Sequence, residues 1–63
     1  MQNLKLKGKI VEAGLTYIQL SDKTGVSAPT IQKAVNGGNI SLQTASSISN
    51  ALNCNLSDIF GGG

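Results

Sequence analysis

The sequence predicts an all-α domain of five short helices, and three observations carry that reading. Apolar residues recur three and four positions apart, as in Leu6, Ile10 and Ala13 or Ala45, Ile48, Ala51 and Leu52, which is the spacing of one helix face. Small polar residues (Thr16, Ser27, Ser41, Asn55) stand just ahead of such stretches, where a side-chain oxygen can accept one of the unpaired N–H groups of a first turn. Glycines (Gly14, Gly25, Gly37) stand just after them, where a helix stops most cheaply.

A first helix is expected from about Asn3 to Ala13, with Leu6, Ile10 and Ala13 inward and Lys5, Lys9 and Glu12 turned away. Gly14 ends it, and Leu15 is placed as a hydrophobic staple ahead of the Thr16 cap. The second helix opens on Thr16, with Gln19 completing a capping box, and its inward face is Ile18, Leu20, Ser21 and Thr24. Gly25 closes it and Val26 plugs the turn. Ser27 is the expected cap of a third helix that tolerates Pro29 in its first turn. Ile31, Ala34 and Val35 fall on one side of that helix, leaving Ala28, Pro29, Gln32 and Lys33 outward, and Asn36-Gly37-Gly38 ends it. Ser41 caps a fourth helix whose stripe is Ala45, Ile48, Ala51 and Leu52, opposite a face of serine and asparagine. Asn55 and Asp58 have cap and third-position spacing ahead of Ile59 and Phe60, which suggests a single-turn helix closing the core. Residues 1–60 are then one domain, and Gly61-Gly62-Gly63 a flexible tail or the truncation point of a longer chain.

Two short helices joined at a glycine over residues 16–37 have the layout of a helix-turn-helix, the element that places its second helix in the DNA major groove. Composition agrees with a binding module. A chain of 63 residues has room for one core, and such a domain buries only about 60% of the surface its unfolded chain exposes. The single Cys54 excludes an internal disulfide, and no apolar run approaches a membrane span or a signal peptide, so a reducing cytoplasm is the expected location. There is no histidine, and Glu12, Asp22 and Asp58 are far apart in sequence, so neither metal-ligand spacing nor a catalytic constellation is present and no enzyme or cofactor is expected. The formal charge of +2 is mildly consistent with a polyanionic partner. Tyr17 and Phe60 are the only aromatics, too few for a single-strand stacking platform.

The run Leu15-Thr16, Leu20-Ser21, Gly25-Val26-Ser27, Thr30-Ile31, Asn36-Gly37, followed by Ser41-Leu42, Ala51-Leu52 and Leu56-Ser57-Asp58-Ile59-Phe60, resembles the Cro/phage-repressor helix-turn-helix family. The resemblance covers nearly the whole chain. It implies a five-helix, lambda-repressor-like domain with the helix-turn-helix at helices two and three. It also implies binding to a double-stranded DNA operator, commonly as a dimer, and regulation of transcription, with no small-molecule ligand evident. Carried over residue by residue, it implies base reading by Ala28, Pro29, Gln32 and Lys33 with Ser27 at the helix cap. Family members place polar readers at the first two positions, whereas Ala28 and Pro29 leave contact with a thymine methyl; Gln32 suits adenine and Lys33 guanine. Tyr17, Asn36, Gly38 and Asn39 are the implied phosphate contacts, through a phenol, side-chain amides and exposed backbone N–H groups. The implied dimer interface is the C-terminal segment of Leu56, Ser57, Ile59 and Phe60, giving a weak free homodimer that assembles on DNA.

Many members pair an arginine in the first helix with a glutamate before the Asn-Gly of the third; this chain has Ile10 and Val35 there, so no half-pair is left buried. Cys54 sits where the family places a small apolar residue and is expected to be an inert, buried thiol. A second functional class remains on the same scaffold: a protein-interaction module, antitoxin-like or adaptor, favoured by the apolar Ala28-Pro29 and by basic residues that are all lysine.

Overall fold

The computed structural model describes residues 2–60, so the glycine tail lies outside the described residues. Five helices follow in order: α1 (Leu4–Glu12), α2 (Tyr17–Thr24), α3 (Ala28–Val35), α4 (Leu42–Ala51) and α5 (Leu56–Ile59). Among the described residues there is no strand.

Local chemistry sets the ends of these helices. Asn3 lies outside α1 as its cap, with Oδ1 accepting the Leu6 N–H at 3.1 Å. At α2 the capping box is complete: the Gln19 N–H donates to Thr16 Oγ1 at 3.1 Å and the Thr16 N–H to Gln19 Oε1 at 2.9 Å. Ser41 Oγ accepts the Thr44 N–H at 3.1 Å, and the Asn55 N–H donates to Asp58 Oδ2 at 3.1 Å. At the other end α1, α3 and α4 share one motif, in which the two residues after the cap donate back to the last turn. The pairs are Leu15 N–H to Ile10 O (3.2 Å) with Gly14 N–H to Val11 O (3.0 Å), and Gly38 N–H to Lys33 O (2.8 Å) with Gly37 N–H to Ala34 O (3.1 Å). At α4 they are Cys54 N–H to Ser49 O and Asn53 N–H to Asn50 O, both 3.1 Å. Here the left-handed residue is Asn53, with φ 55°.

Leu6 and Ile10 of α1, Leu20 of α2, Ile31, Ala34 and Val35 of α3, Ile48 of α4 and Ile59 of α5 form one buried cluster. Leu15, Tyr17, Val26, Leu52, Cys54 and Phe60 pack around its margin. α2 lies on α3 and α4, α4 on α5, and α1 on α3 and α5. Among the described residues every buried side-chain nitrogen and oxygen has a hydrogen-bond partner, as a small core requires.

Three expectations are corrected. Ile18 is 69% exposed. It lies two residues before Leu20, about 200° around the helix, so one of the pair must face solvent. Ala13 is exposed and follows the last turn of α1, whose buried face is Leu6 and Ile10 alone. Ser49 is buried, because positions 45, 48, 49 and 52 share one face, and its hydroxyl is satisfied by donating to Ala45 O at 2.9 Å.

Candidate nucleic-acid interface

The geometry of α3 begins at the turn that precedes it. Gly25 has φ 75°, a conformation that costs a β-carbon about 1–2 kcal/mol. Its N–H donates to Ser21 O at 2.8 Å. Thr24 Oγ1 then fastens the corner, donating to Leu20 O at 2.8 Å and accepting the Val26 N–H at 3.1 Å. The turn thereby packs α3 against α2.

Ile31, Ala34 and Val35 anchor the underside of α3 in the core, and Pro29, Gln32 and Lys33 are exposed on the opposite side. Ala28 is half-buried, so the first turn presents an apolar surface of Pro29 with part of Ala28. Ser27 does not cap the helix through its side chain. Its backbone is extended as a cap requires, but Oγ lies 2.7 Å from Thr30 Oγ1, a hydroxyl pair in place of the expected bond to an N–H.

Tyr17 is half-buried against the core at the first position of α2. Asn36, Gly38 and Asn39 are exposed in the α3–α4 loop. The expectation that Asn36, Gly38 and Asn39 offer free N–H groups is corrected at Asn36 and Gly38. Those of Asn36, Gly37 and Gly38 donate to Gln32 O (2.9 Å), Ala34 O (3.1 Å) and Lys33 O (2.8 Å), because the end of α3 has orphan carbonyls of its own to satisfy. The loop still presents the side-chain amides of Asn36 and Asn39 and the backbone N–H of Asn39.

The stem of Lys33 folds back over Gly38. A β-carbon at Gly38 would stand 2.5 Å from Lys33 Cγ, 3.2 Å from its Cε and 3.0 Å from its carbonyl oxygen. Nothing in the sequence announces that contact, since glycines at 37 and 38 read simply as a helix stop.

The C-terminal set separates into two kinds of residue. Ile59 is 3% exposed and belongs to the core, whereas Leu56 and Phe60 are half-buried and Ser57 is exposed. These three line an open groove of about 690 Å³ together with Gly38, Ile40 and Leu42. Leu42, 70% exposed, is the member that sequence reasoning missed. The available signal was a large apolar residue at the first position of α4, one turn before the small Ala45 and in phase with it.

Cys54 is half-buried, with Sγ 3.6 Å from Ser49 O. Burial pushes its thiol above the ordinary value, an effect that Lys9 opposes and Asp58 reinforces. Among the described residues no helix is long and apolar enough to cross a membrane.

The sequence model of a helix-turn-helix family matches residues 6–59, from the first core leucine of α1 to the last core isoleucine of α5. No curated protein and no solved structure matches the chain.

Proposed function

The chain belongs to the Cro/phage-repressor type of the helix-turn-helix family, whose members act on double-stranded DNA, and from that premise we propose that it is a repressor reading a two-fold operator as a dimer. One observation carries the reading. Helix α3 is clamped from beneath by Ile31, Ala34 and Val35 while Pro29, Gln32 and Lys33 are exposed on its other side, beyond a glycine corner that fixes the helix direction. A reading helix has to be presented in this way, since a base contact is specific only if the backbone behind it cannot adjust to the wrong base.

Gln32 is the foremost base reader, its amide suited to the paired donor and acceptor of an adenine edge. Ala28 and Pro29 offer the first turn a thymine methyl in place of a hydrogen bond. The Tyr17 hydroxyl and the amides of Asn36 and Asn39 hold phosphates on either side, which orients α3 without reading sequence. The groove edged by Leu42, Leu56 and Phe60 supports pairing with a second copy at the C-terminal end.

The test is selection of binding sites from random duplexes, followed by affinity measurement for Gln32→Ala. A recovered motif with two-fold symmetry, and a loss of about 1–3 kcal/mol confined to one base position per half-site, is the expected result. Affinity that ignores both salt and duplex sequence would instead favour a protein-binding module.

A further inference from the structure

We infer that Lys33 acts as a phosphate-neutralising charge at the edge of the interface, and that Gly38 is the positioning residue that aims it there. This inference rests on the DNA-binding reading above and changes the role of one residue within it.

Three observations converge. Lys33 stands in the last turn of α3, whereas a groove-inserted helix contacts base edges chiefly with its N-terminal residues and its far end lies nearer the backbone. Its stem does not project straight from the helix: Cγ and Cε both lie over Gly38, 2.5 and 3.2 Å from where a β-carbon would be. Only one bond separates Cε from the ammonium, so the charge is carried to the α3–α4 loop at Gly38. Finally, the Asn36, Gly37 and Gly38 N–H groups beside that stem are all bonded to α3 carbonyls, so this stretch offers a phosphate no free N–H of its own. A phosphate at this stretch has the Asn36 and Asn39 side-chain amides for hydrogen bonds, and for charge it has Lys33, the cation folded onto Gly38.

Gly38 is what permits this path. No left-handed φ is involved at that position, so the requirement is one of space: any side chain there collides with the lysine stem and with the Lys33 carbonyl. Gly38→Ala therefore expels Lys33 toward solvent while preserving its charge.

The experiment measures duplex affinity against salt for wild type, Lys33→Ala, Lys33→Arg, Gly38→Ala and the Lys33→Ala/Gly38→Ala double variant, on the selected operator and on its single-base variants. Lys33→Ala is expected to weaken all duplexes by a similar factor and to make the slope of log K against log salt shallower by about 0.9 per copy bound. Lys33→Arg restores the slope. Gly38→Ala flattens it as Lys33→Ala does, and adds little in the double variant. Preference relaxed at one base pair with an unchanged slope would make Lys33 a base reader and overturn the inference. So would a lower melting temperature with unchanged binding, which would reduce Lys33 to a helix-end contact, or wild-type behaviour of a normally helical Gly38→Ala. If wild type binds no duplex in a salt-dependent way, the DNA reading itself falls and this inference with it; in every other outcome wild-type binding stands apart as its own control.

Discussion

Ile10 and Val35 show how a single pair of positions tunes this fold. Both are 3% exposed in the same cluster, on helices α1 and α3 that pack together. With both residues apolar the site needs no desolvated ion pair, the arrangement that is neutral or better relative to a buried salt bridge. Val35→Glu alone would bury an unpartnered carboxylate and is expected to cost about 3–5 kcal/mol, most of what a domain of this size has. Adding Ile10→Arg should return part of that loss. Chemical denaturation of the two single variants and the double variant gives the coupling energy, and strict additivity would show that the two positions do not meet.

At the scale of an element, the helix ends carry the specificity. Adding a β-carbon at Gly25 meets no atom within 4 Å, so whatever Gly25→Val loses is conformational, at least about 1–2 kcal/mol for a β-branched side chain forced to a left-handed φ. Asn53 is the converse case. It holds φ 55° with a side chain attached, and Asn53→Gly should relieve the strain and stabilise by up to about 1 kcal/mol, less the entropy that glycine adds to the unfolded chain. Thermal melts of both variants check the pair: a neutral Gly25→Val would contradict the turn geometry, and a clearly destabilising Asn53→Gly would give the asparagine side chain a role of its own.

For the molecule as a whole, Asn3 is the tie between both ends of the chain. Its Oδ1 caps α1, its backbone N–H donates to Val35 O at 2.7 Å and its Nδ2 donates to Ile59 O at 3.2 Å, so one residue joins α1, α3 and α5. Asn3→Ala is expected to cost about 1.5–3 kcal/mol, a lost cap plus a lost hydrogen bond. Asn3→Asp keeps the acceptor and loses the donor, and should fall between the two in denaturant unfolding. Size also decides how this domain meets DNA. The backbone of the described residues extends 28 Å along its longest axis and carries a single α3, so an operator whose two halves lie roughly 34–36 Å apart on one duplex face requires two copies. The exposed apolar surface at the C-terminal groove is modest, with Leu56 and Phe60 half spent on the fold, against about 800 Å² per partner in a stable interface. A weak free dimer that assembles on DNA is therefore expected. Sedimentation with and without operator checks it, and a tight dimer in the absence of DNA would contradict it.

Helix number, helix order and most helix ends are legible in the chain. Those features depend on backbone groups within four residues of one another, as in the Thr16–Gln19 box or the stop at Gly37, and such chemistry is written locally. The underside of α3 is legible too, because Ile31, Ala34 and Val35 share a face whatever packs against it. Which margins of each stripe are covered depends on packing: Ile18 faces out, Ser49 faces in, and Ile59, expected both to close the core and to join an interface, is wholly in the core. Packing alone placed Asn3 between two distant helix ends, opened the groove beside Leu42 and folded Lys33 onto Gly38. The reason is physical. Periodicity fixes the direction of a side chain around its own helix, but burial, reach and available space are properties of the neighbour across the gap, and that neighbour is chosen by the fold.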